Sequence, residues 1–143
     1  MTKLKNKKLF GIVVLVILIL GFVFVRNNLG NVWNVEMGSC NSEIFTEKEI
    51  KSAMKAVKKD FGRNFAGCSL NKLWYAEDTN FLQEPEDKEQ YNKLEITITS
   101  EFYVRPGGGD GSMEDDRTHS GYNWILTHES EDSKWVVKDK GYC

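Results

Sequence analysis

The stretch FTEKEIKSAMKAVKKDFG, residues 45–62, decides the fold because it carries the clearest helical pattern in the chain. Thr46 and Glu49 have the spacing of a capping box, in which each side chain accepts a hydrogen bond from the other residue's backbone N–H. Gly62 stands where a glycine commonly follows the last helical residue. Apolar residues recur at intervals of three and four positions: Ile50, Ala53, Met54, Val57 and Phe61. The pattern predicts an amphipathic helix over about 47–61, with one buried stripe and a solvated lysine face.

The sequence after this helix is typical of β-strands. Residues 94–104, LEITITSEFYV, alternate apolar and polar side chains most clearly. Shorter segments at 68–76, 122–128 and 134–139 are also predicted strands, and the acidic segment 77–92 is predicted to be a loop that can hold one helical turn. One helix followed by about four strands predicts an α+β fold, with the helix packed on a curved antiparallel sheet.

Toward the N-terminus, residues 9–25, LFGIVVLVILILGFVFV, contain no charged or polar side chain. A helix of this length is about 26 Å long, close to the ~30 Å hydrocarbon thickness of a bilayer. A cleaved signal peptide has a shorter apolar core, followed by two small residues at a fixed spacing. No such pair follows Val25. The run is therefore predicted to be a retained transmembrane anchor.

Charge around the apolar run predicts its orientation. Four lysines precede it, and Arg26 alone follows it closely, so the positive-inside rule places the N-terminus in the cytoplasm and the body outside. The predicted organisation is a cytoplasmic basic tip at 1–8, a transmembrane anchor at 9–25, a stalk at 26–42 and an extracytoplasmic α+β domain at 43–143. The predicted location is the cell membrane, as a single-pass protein.

The body of the protein is acidic. Residues 1–26 hold five Lys and Arg and no acid, which leaves 14 Lys and Arg against 21 Asp and Glu in residues 27–143, a formal charge of −7. A body of this sign repels phosphate backbones, which argues against a nucleic acid partner.

The three cysteines matter because an exported domain can form disulfides. Cys40 precedes the predicted helix and Cys68 follows it, and helix ends about 22 Å apart keep these two thiols separate. The candidate disulfide is therefore Cys40–Cys143, with Cys68 as a buried apolar residue. The alternative, in which all three cysteines are reduced, stays open.

The glycine-rich stretch PGGGDGSMEDDRTHSGYNW, residues 106–124, is the best local candidate for a ligand site. A phosphate-binding loop lies between a strand and a helix, whereas a strand pattern follows here. An EF-hand loop has acids at alternate positions, whereas Glu114, Asp115 and Asp116 are adjacent. The stretch is therefore predicted to be a turn or long hairpin loop rather than an ion site.

No catalytic residue, cofactor-binding residue or metal ligand can be assigned from the sequence. His119 and His128 lack zinc-site spacing, and no Gly-x-Ser-x-Gly sequence marks a nucleophile. His119 is predicted in a solvated loop, and His128 at the surface at a strand end. Glu95 and Glu101 are interpreted as parts of a solvated strand face rather than as pocket carboxylates.

Several segments together resemble an uncharacterised family of small secreted or membrane-anchored bacterial proteins. They are the helix above, GCSLNKLWYAED at 67–78, GGGDGS at 107–112 and YNWILTHESEDSKWVVKDKGY at 122–142. That family is similar in pattern to the cone-shaped α+β domains related to nuclear transport factor 2. The resemblance covers residues 45–142 and implies a helix lying in a strongly bent sheet, with a pocket between them. It implies no activity, because this fold carries enzymes, binding domains and assembly modules alike.

Three hypotheses about function follow. The first is a non-enzymatic module at the cell surface that binds a protein partner or a small ligand outside the cell. The second is a small pocket enzyme of the isomerase or hydrolase kind, which predicts an apolar cavity holding an acid of raised pKa. The third is a subunit of a larger envelope assembly, disfavoured because the apolar run lacks a Gly-x-x-x-Gly pattern or polar residue.

Overall fold

A computed structural model of the chain describes residues 2–76, 94–129 and 133–142. In these ranges the elements, in chain order, are α1 (Thr2–Asn28), β1 (Glu36–Met37), α2 (Glu47–Asn64), β2 (Cys68–Trp74), β3 (Glu95–Val104), β4 (Arg117–Thr127) and β5 (Val136–Gly141). The predicted loop at 77–92 and the residue Cys143 lie outside the described part of the chain.

The five strands form one open sheet in the order β1-β2-β3-β4-β5. β1 pairs with β2 in parallel, and the other three ladders are antiparallel. The predicted α+β class is therefore confirmed, whereas the predicted wholly antiparallel sheet is only mostly antiparallel. Each antiparallel ladder contains a register shift, a feature that bends strands locally. The predicted curvature and the likeness to nuclear transport factor 2 stay predictions.

Helix α2 packs with its apolar stripe on the sheet. The capping box is present: Thr46 N donates to Glu49 Oε2 at 2.7 Å, and Glu49 N donates to Thr46 Oγ1 at 3.3 Å. The predicted stripe residues are fully buried against the sheet residues Leu73, Ile96, Ile98, Phe102, Trp124 and Leu126. The core thus lies between α2 and one face of the sheet, as the sequence predicted.

The end of α2 differs from the prediction. The helix continues through Gly62 to Asn64 and is capped by Phe65, whose backbone N–H donates to Phe61 O at 3.0 Å. Gly62 is therefore not the residue after the helix. Instead its carbonyl accepts a hydrogen bond from Gly30 N at 3.0 Å, so the last turn is held by the segment that follows α1.

Residues 30–39, predicted as part of an irregular stalk, run along the edge of β2. Asn31 N donates to Cys68 O at 2.8 Å, Leu70 N donates to Asn31 O at 2.9 Å, and Gly38 N donates to Leu73 O at 2.7 Å. These bonds make the segment the first edge of the sheet. Only Leu29 separates the end of α1 from the hydrogen bond between Gly30 and Gly62.

Candidate functional site

Helix α1 contains a segment, Lys7–Asn28, that is long and apolar enough to cross a membrane, and none of it is buried against the domain. An exposed apolar helix near the N-terminus fits a signal anchor or a signal sequence.

The end of α1 contacts the domain through Arg105, the residue directly after β3. Arg105 Nη2 donates to Arg26 O at 2.7 Å, and Arg105 Nε donates to Gly67 O at 3.2 Å. We call this end of the domain, which holds the end of α2 and the starts of β2 and β4, the junction end. Helix α1 and the domain therefore meet directly at this end.

The glycine-rich loop, residues 105–116, also lies at the junction end. It joins β3 to β4, which pair antiparallel, so the predicted hairpin loop is confirmed. The loop folds back onto the turn before β2: Gly109 N donates to Ala66 O at 2.9 Å, and Arg105 N donates to Gly67 O at 3.1 Å. Within the loop, Asp115 Oδ2 accepts from Gly107 N at 2.6 Å. The acids near 114–116 thus include at least one that holds the loop's own backbone.

A cavity of about 150 Å³ opens between this loop, the end of α2 and strands β4 and β5. It is lined by Asn64, Phe65, Cys68, Val104, Gly109, Asp110, Ser112, Met113, Tyr122 and Lys140. The resemblance implied a pocket between helix and sheet, but this cavity lies at the end of that interface. The centre of the interface is occupied by the fully buried side chains of the core.

Lys140 is the cation of the cavity. Its Nζ lies 2.5 Å from Asp60 Oδ2, and both side chains are about three-quarters buried, with exposures of 29% and 24%. The same Nζ lies 5.3 Å from the ring centroids of Phe65 and Trp124, within the range of a cation–π contact. The ammonium group therefore has a fixed position, between a carboxylate and two aromatic rings.

The titratable groups of the cavity favour binding over proton transfer. Hydrogen bonds from the Ser112 hydroxyl and backbone N–H, at 2.5 Å and 2.9 Å, hold the pKa of Asp110 below its usual range. Burial raises the pKa of the Tyr122 phenol and of the Cys68 thiol. At neutral pH the cavity therefore presents a carboxylate, a neutral phenol and a neutral thiol, none poised to exchange a proton near pH 7.

The structure places the predicted acids and histidines along the β3–β4 ladder, with Glu95 near His128 at one end and Glu101 near His119 toward the other. Glu95 pairs with Lys138 at 3.6 Å across the sheet, and Glu101 is half-buried on β3. His119 lies in β4 rather than in a loop, with Nε2 2.8 Å from Glu114 O. The prediction of a surface position for His128 was wrong, since this residue is buried and stacks on Trp135 at 3.9 Å between ring centroids.

The cysteines are separated as expected. Cys68 is buried at the start of β2. Half-buried Cys40 follows β1, which pairs with the other end of β2, and its thiol lies 3.6 Å from Gly38 O. The candidate disulfide Cys40–Cys143 involves a residue outside the described ranges and stays a prediction. Within those ranges no group of three or more His, Cys, Asp or Glu side chains could hold a metal ion.

Sequence reasoning missed the cavity because its walls come from distant positions. Phe65, Tyr122 and Lys140 share no motif and no regular spacing. They meet only because β5 pairs with β4 beneath the last turn of α2. The single local signal is the glycine-rich loop, which supplies one wall of the cavity.

No family model, curated protein or solved structure matches this chain.

Proposed function

We propose that this chain is a single-pass membrane protein whose domain lies outside the cell and binds a protein partner at the junction end. The observation that carries the proposal is the direct contact between an exposed apolar helix and the domain. Arg105 binds the carbonyl of Arg26, and Gly30 is already bonded to α2. This arrangement holds the domain against the membrane surface.

Retention of the anchor is supported by the structure around its end. Cleavage just after Val25 would fall within α1, which continues to Asn28. Cleavage further along would fall in residues 30–39, which are hydrogen-bonded along β2. A signal-peptide cleavage site also requires small residues at a fixed spacing just beyond the apolar core, and no such pair follows Val25. The four lysines before residue 9 support a cytoplasmic N-terminus.

The size of the cavity favours a protein partner over a metabolite. Sites for small molecules commonly enclose about 300–1,000 Å³, whereas this cavity has about 150 Å³. A volume of this size suits a single side chain. The walls combine two aromatic rings, Lys140 and the Asp110 carboxylate, so a partner side chain with an apolar body and a polar tip fits best.

The pocket-enzyme alternative is less well supported. It requires an acid of raised pKa inside an apolar cavity, whereas the pKa of the cavity acid Asp110 is lowered by its bonds from Ser112.

The membership in the nuclear transport factor 2 group and the bacterial origin remain parts of the proposal. The membership is supported by one long helix packed on a sheet whose ladders contain register shifts, and the bacterial origin rests on the resemblance of the sequence alone.

The proposal is tested by protease treatment of intact cells and by site-specific photo-crosslinking. We expect added protease to digest the domain, while the mature chain still contains α1 by mass. A photo-crosslinker at Ser112, which lines the cavity, should capture a protein, whereas one at Lys138, on β5 and exposed, should not. A mature chain that begins beyond Val25, or equal capture at both positions, would overturn the proposal.

A further inference from the structure

Trp33 is the most exposed large apolar side chain in the described part of the protein, at 90% of its full accessibility. The other tryptophans are half-buried or buried: Trp74, Trp124 and Trp135. Leaving an indole ring in water forgoes a large apolar burial. Tryptophan is enriched at interfaces, where its apolar ring is covered and its N–H stays in contact with water.

The backbone around Trp33 holds the side chain outward. Asn31 pairs with Ser69 and Glu36 pairs with Lys72. Between these two pairs the chain advances by five residues along the sheet edge but by only three residues along β2. The extra residues form a projecting turn, in which Trp33 N donates to Asn31 Oδ1 at 3.1 Å. Val32 and Val35 on either side of the turn pack against the core. The turn is therefore fixed at both ends, and Trp33 is presented from a rigid base.

The position of Trp33 is close to the membrane boundary. α1 ends at Asn28. This residue lies three positions, or about 4.5 Å, beyond Val25, the last residue of the apolar run, so the end of α1 lies in the headgroup layer. That layer is about 5–7 Å thick on each side of the bilayer. Trp33 follows Asn28 by five residues, which at full extension reach about 17 Å. The actual path is shorter, because Asn31 pairs with Ser69 at the start of β2, at the junction end.

We propose that Trp33 is a second membrane contact, with its indole ring among the lipid headgroups of the outer leaflet. The inference rests on the proposed membrane anchor. Tryptophan favours this interface because its ring is apolar and its N–H is polar. A single spanning helix leaves the domain free to tilt, whereas a contact to one side of α1 restricts that tilt. The partner is lipid rather than protein because the turn continues directly from the anchor.

The contact does not depend on anionic lipid. The cations of the junction end are offset by the four acids of the glycine-rich loop. The cations are Arg26, Arg63, Arg105 and Arg117, and the acids are Asp110, Glu114, Asp115 and Asp116. The indole ring therefore supplies the attraction, and a zwitterionic bilayer is a sufficient probe.

The test uses the full-length chain in phosphatidylcholine vesicles that contain lipids brominated near the carbonyl end of the acyl chains. Bromine quenches nearby tryptophan fluorescence. We expect quenching of the wild-type protein and loss of most of it in Trp33→Phe. Trp74→Phe is the matched control, because Trp74 ends β2 on the side opposite the junction end, and its quenching should equal that of the wild type.

The outcomes separate this inference from the proposed function. One result would overturn the inference alone. In it the chain stays in the vesicles at alkaline pH, but brominated lipid does not quench its fluorescence. Aqueous iodide instead quenches a component of the fluorescence that is absent from Trp33→Phe. A chain that alkaline treatment releases from the vesicles would overturn both the anchor and the second contact.

Discussion

The backbone of Gly108 lies directly against the backbone of Gly67. A Cβ atom added at Gly108 would come within 2.5 Å of Gly67 O, and one added at Gly67 would come within 2.7 Å of Gly108 Cα. Gly67 also has a φ of +75°, which disfavours any other residue. Packing therefore explains Gly108, and positive φ values of +67° and +74° explain Gly107 and Gly109. Together the three glycines let the β3–β4 loop close onto the turn before β2.

Replacing Gly108 with alanine should destabilise the protein. The added methyl group meets backbone atoms that cannot rotate away, so we expect the free energy of unfolding to fall by about 1–3 kcal/mol. Urea denaturation followed by tryptophan fluorescence measures the change. The matched control is Gly141→Ala, because a Cβ there would have no atom within 4 Å, and its effect should stay within about 0.5 kcal/mol. Equal effects of the two substitutions would contradict the packing explanation.

The Lys140–Asp60 pair should contribute to stability through both the carboxylate and the aromatic rings. Lys140→Met keeps the aliphatic chain but removes the ammonium group from Asp60, Phe65 and Trp124. We expect a loss of about 1–2 kcal/mol. In a double-mutant cycle with Asp60→Asn, the two losses should be non-additive by at least about 0.5 kcal/mol.

An exposed ion pair provides the control for that cycle. Lys72 and Glu36 approach to 2.9 Å, but their side chains are 41% and 67% exposed. Solvent screens such pairs, so Lys72→Met should change stability by less than about 0.5 kcal/mol. If Lys140→Met has an effect equally small, the aromatic surroundings add nothing, and the ammonium group is not a structural part of the cavity wall.

Elements with a strong local signal could be predicted from the sequence. Thr46, Glu49 and the apolar stripe of α2 fix one helix, because capping and a 3.6-residue period act within a few turns. The alternation of residues 94–104 likewise locates β3, with bounds that differ by one residue. The start of β4 was missed because residues 117–121 are polar, and because Gly121, at a φ of +80°, occupies a register shift that interrupts the alternation.

Features that depend on distant residues could not be predicted. β1 is only two residues long, too short to show a period, and its pairing depends on β2 lying beside it. The cavity depends in the same way on the approach of Lys140 to Phe65, residues that are 75 positions apart. Such contacts follow from the packing of α2 on the sheet, which local patterns describe only in outline.

Alkaline pH should destabilise the protein partly through Tyr122. Burial raises the pKa of its phenol above the ordinary value of 10.0, so the folded protein holds this proton more tightly than the unfolded chain. Unfolding therefore releases a proton above about pH 10, and the free energy of unfolding falls as the pH rises further. Tyr122→Phe should lose this part of the pH dependence.

The measurement compares urea denaturation of the wild type and Tyr122→Phe at several pH values from 7 to 11. Deprotonation of lysines affects both proteins alike, so their difference isolates the phenol. The difference should be constant below about pH 9 and should shift in favour of the variant above about pH 10. A difference that stays constant over the whole range would show that Tyr122 is solvated.

The cysteines should differ in reactivity. Because burial raises the pKa of Cys68, less of its thiol is ionised at pH 8, and we expect alkylation of Cys68 only after denaturation. Half-buried Cys40 should react in the native protein unless it is paired with Cys143. Peptide mapping without reductant, before and after denaturation, measures both properties. A disulfide-linked Cys68–Cys143 peptide would contradict the pairing of Cys40 with Cys143. The mapping distinguishes these two disulfides, since Tyr142 packs on Tyr122 beside the cavity that Cys68 lines.

The capping box should determine the stability of α2. Thr46→Ala removes the oxygen that accepts from Glu49 N, leaving a backbone donor of the first turn without its partner. We expect the free energy of unfolding to fall by about 0.5–2 kcal/mol. Thr46→Ser keeps the hydroxyl group and is the matched control, with an expected effect of only a few tenths of a kcal/mol. Loss of the cap should also increase hydrogen exchange at the N-terminal turn of α2 more than at the junction end. The reason is that the last turn of α2 stays bonded to Gly30, and its apolar stripe stays packed in the core. Equal losses of stability in the alanine and serine variants would show that the hydroxyl group is not the stabilising feature.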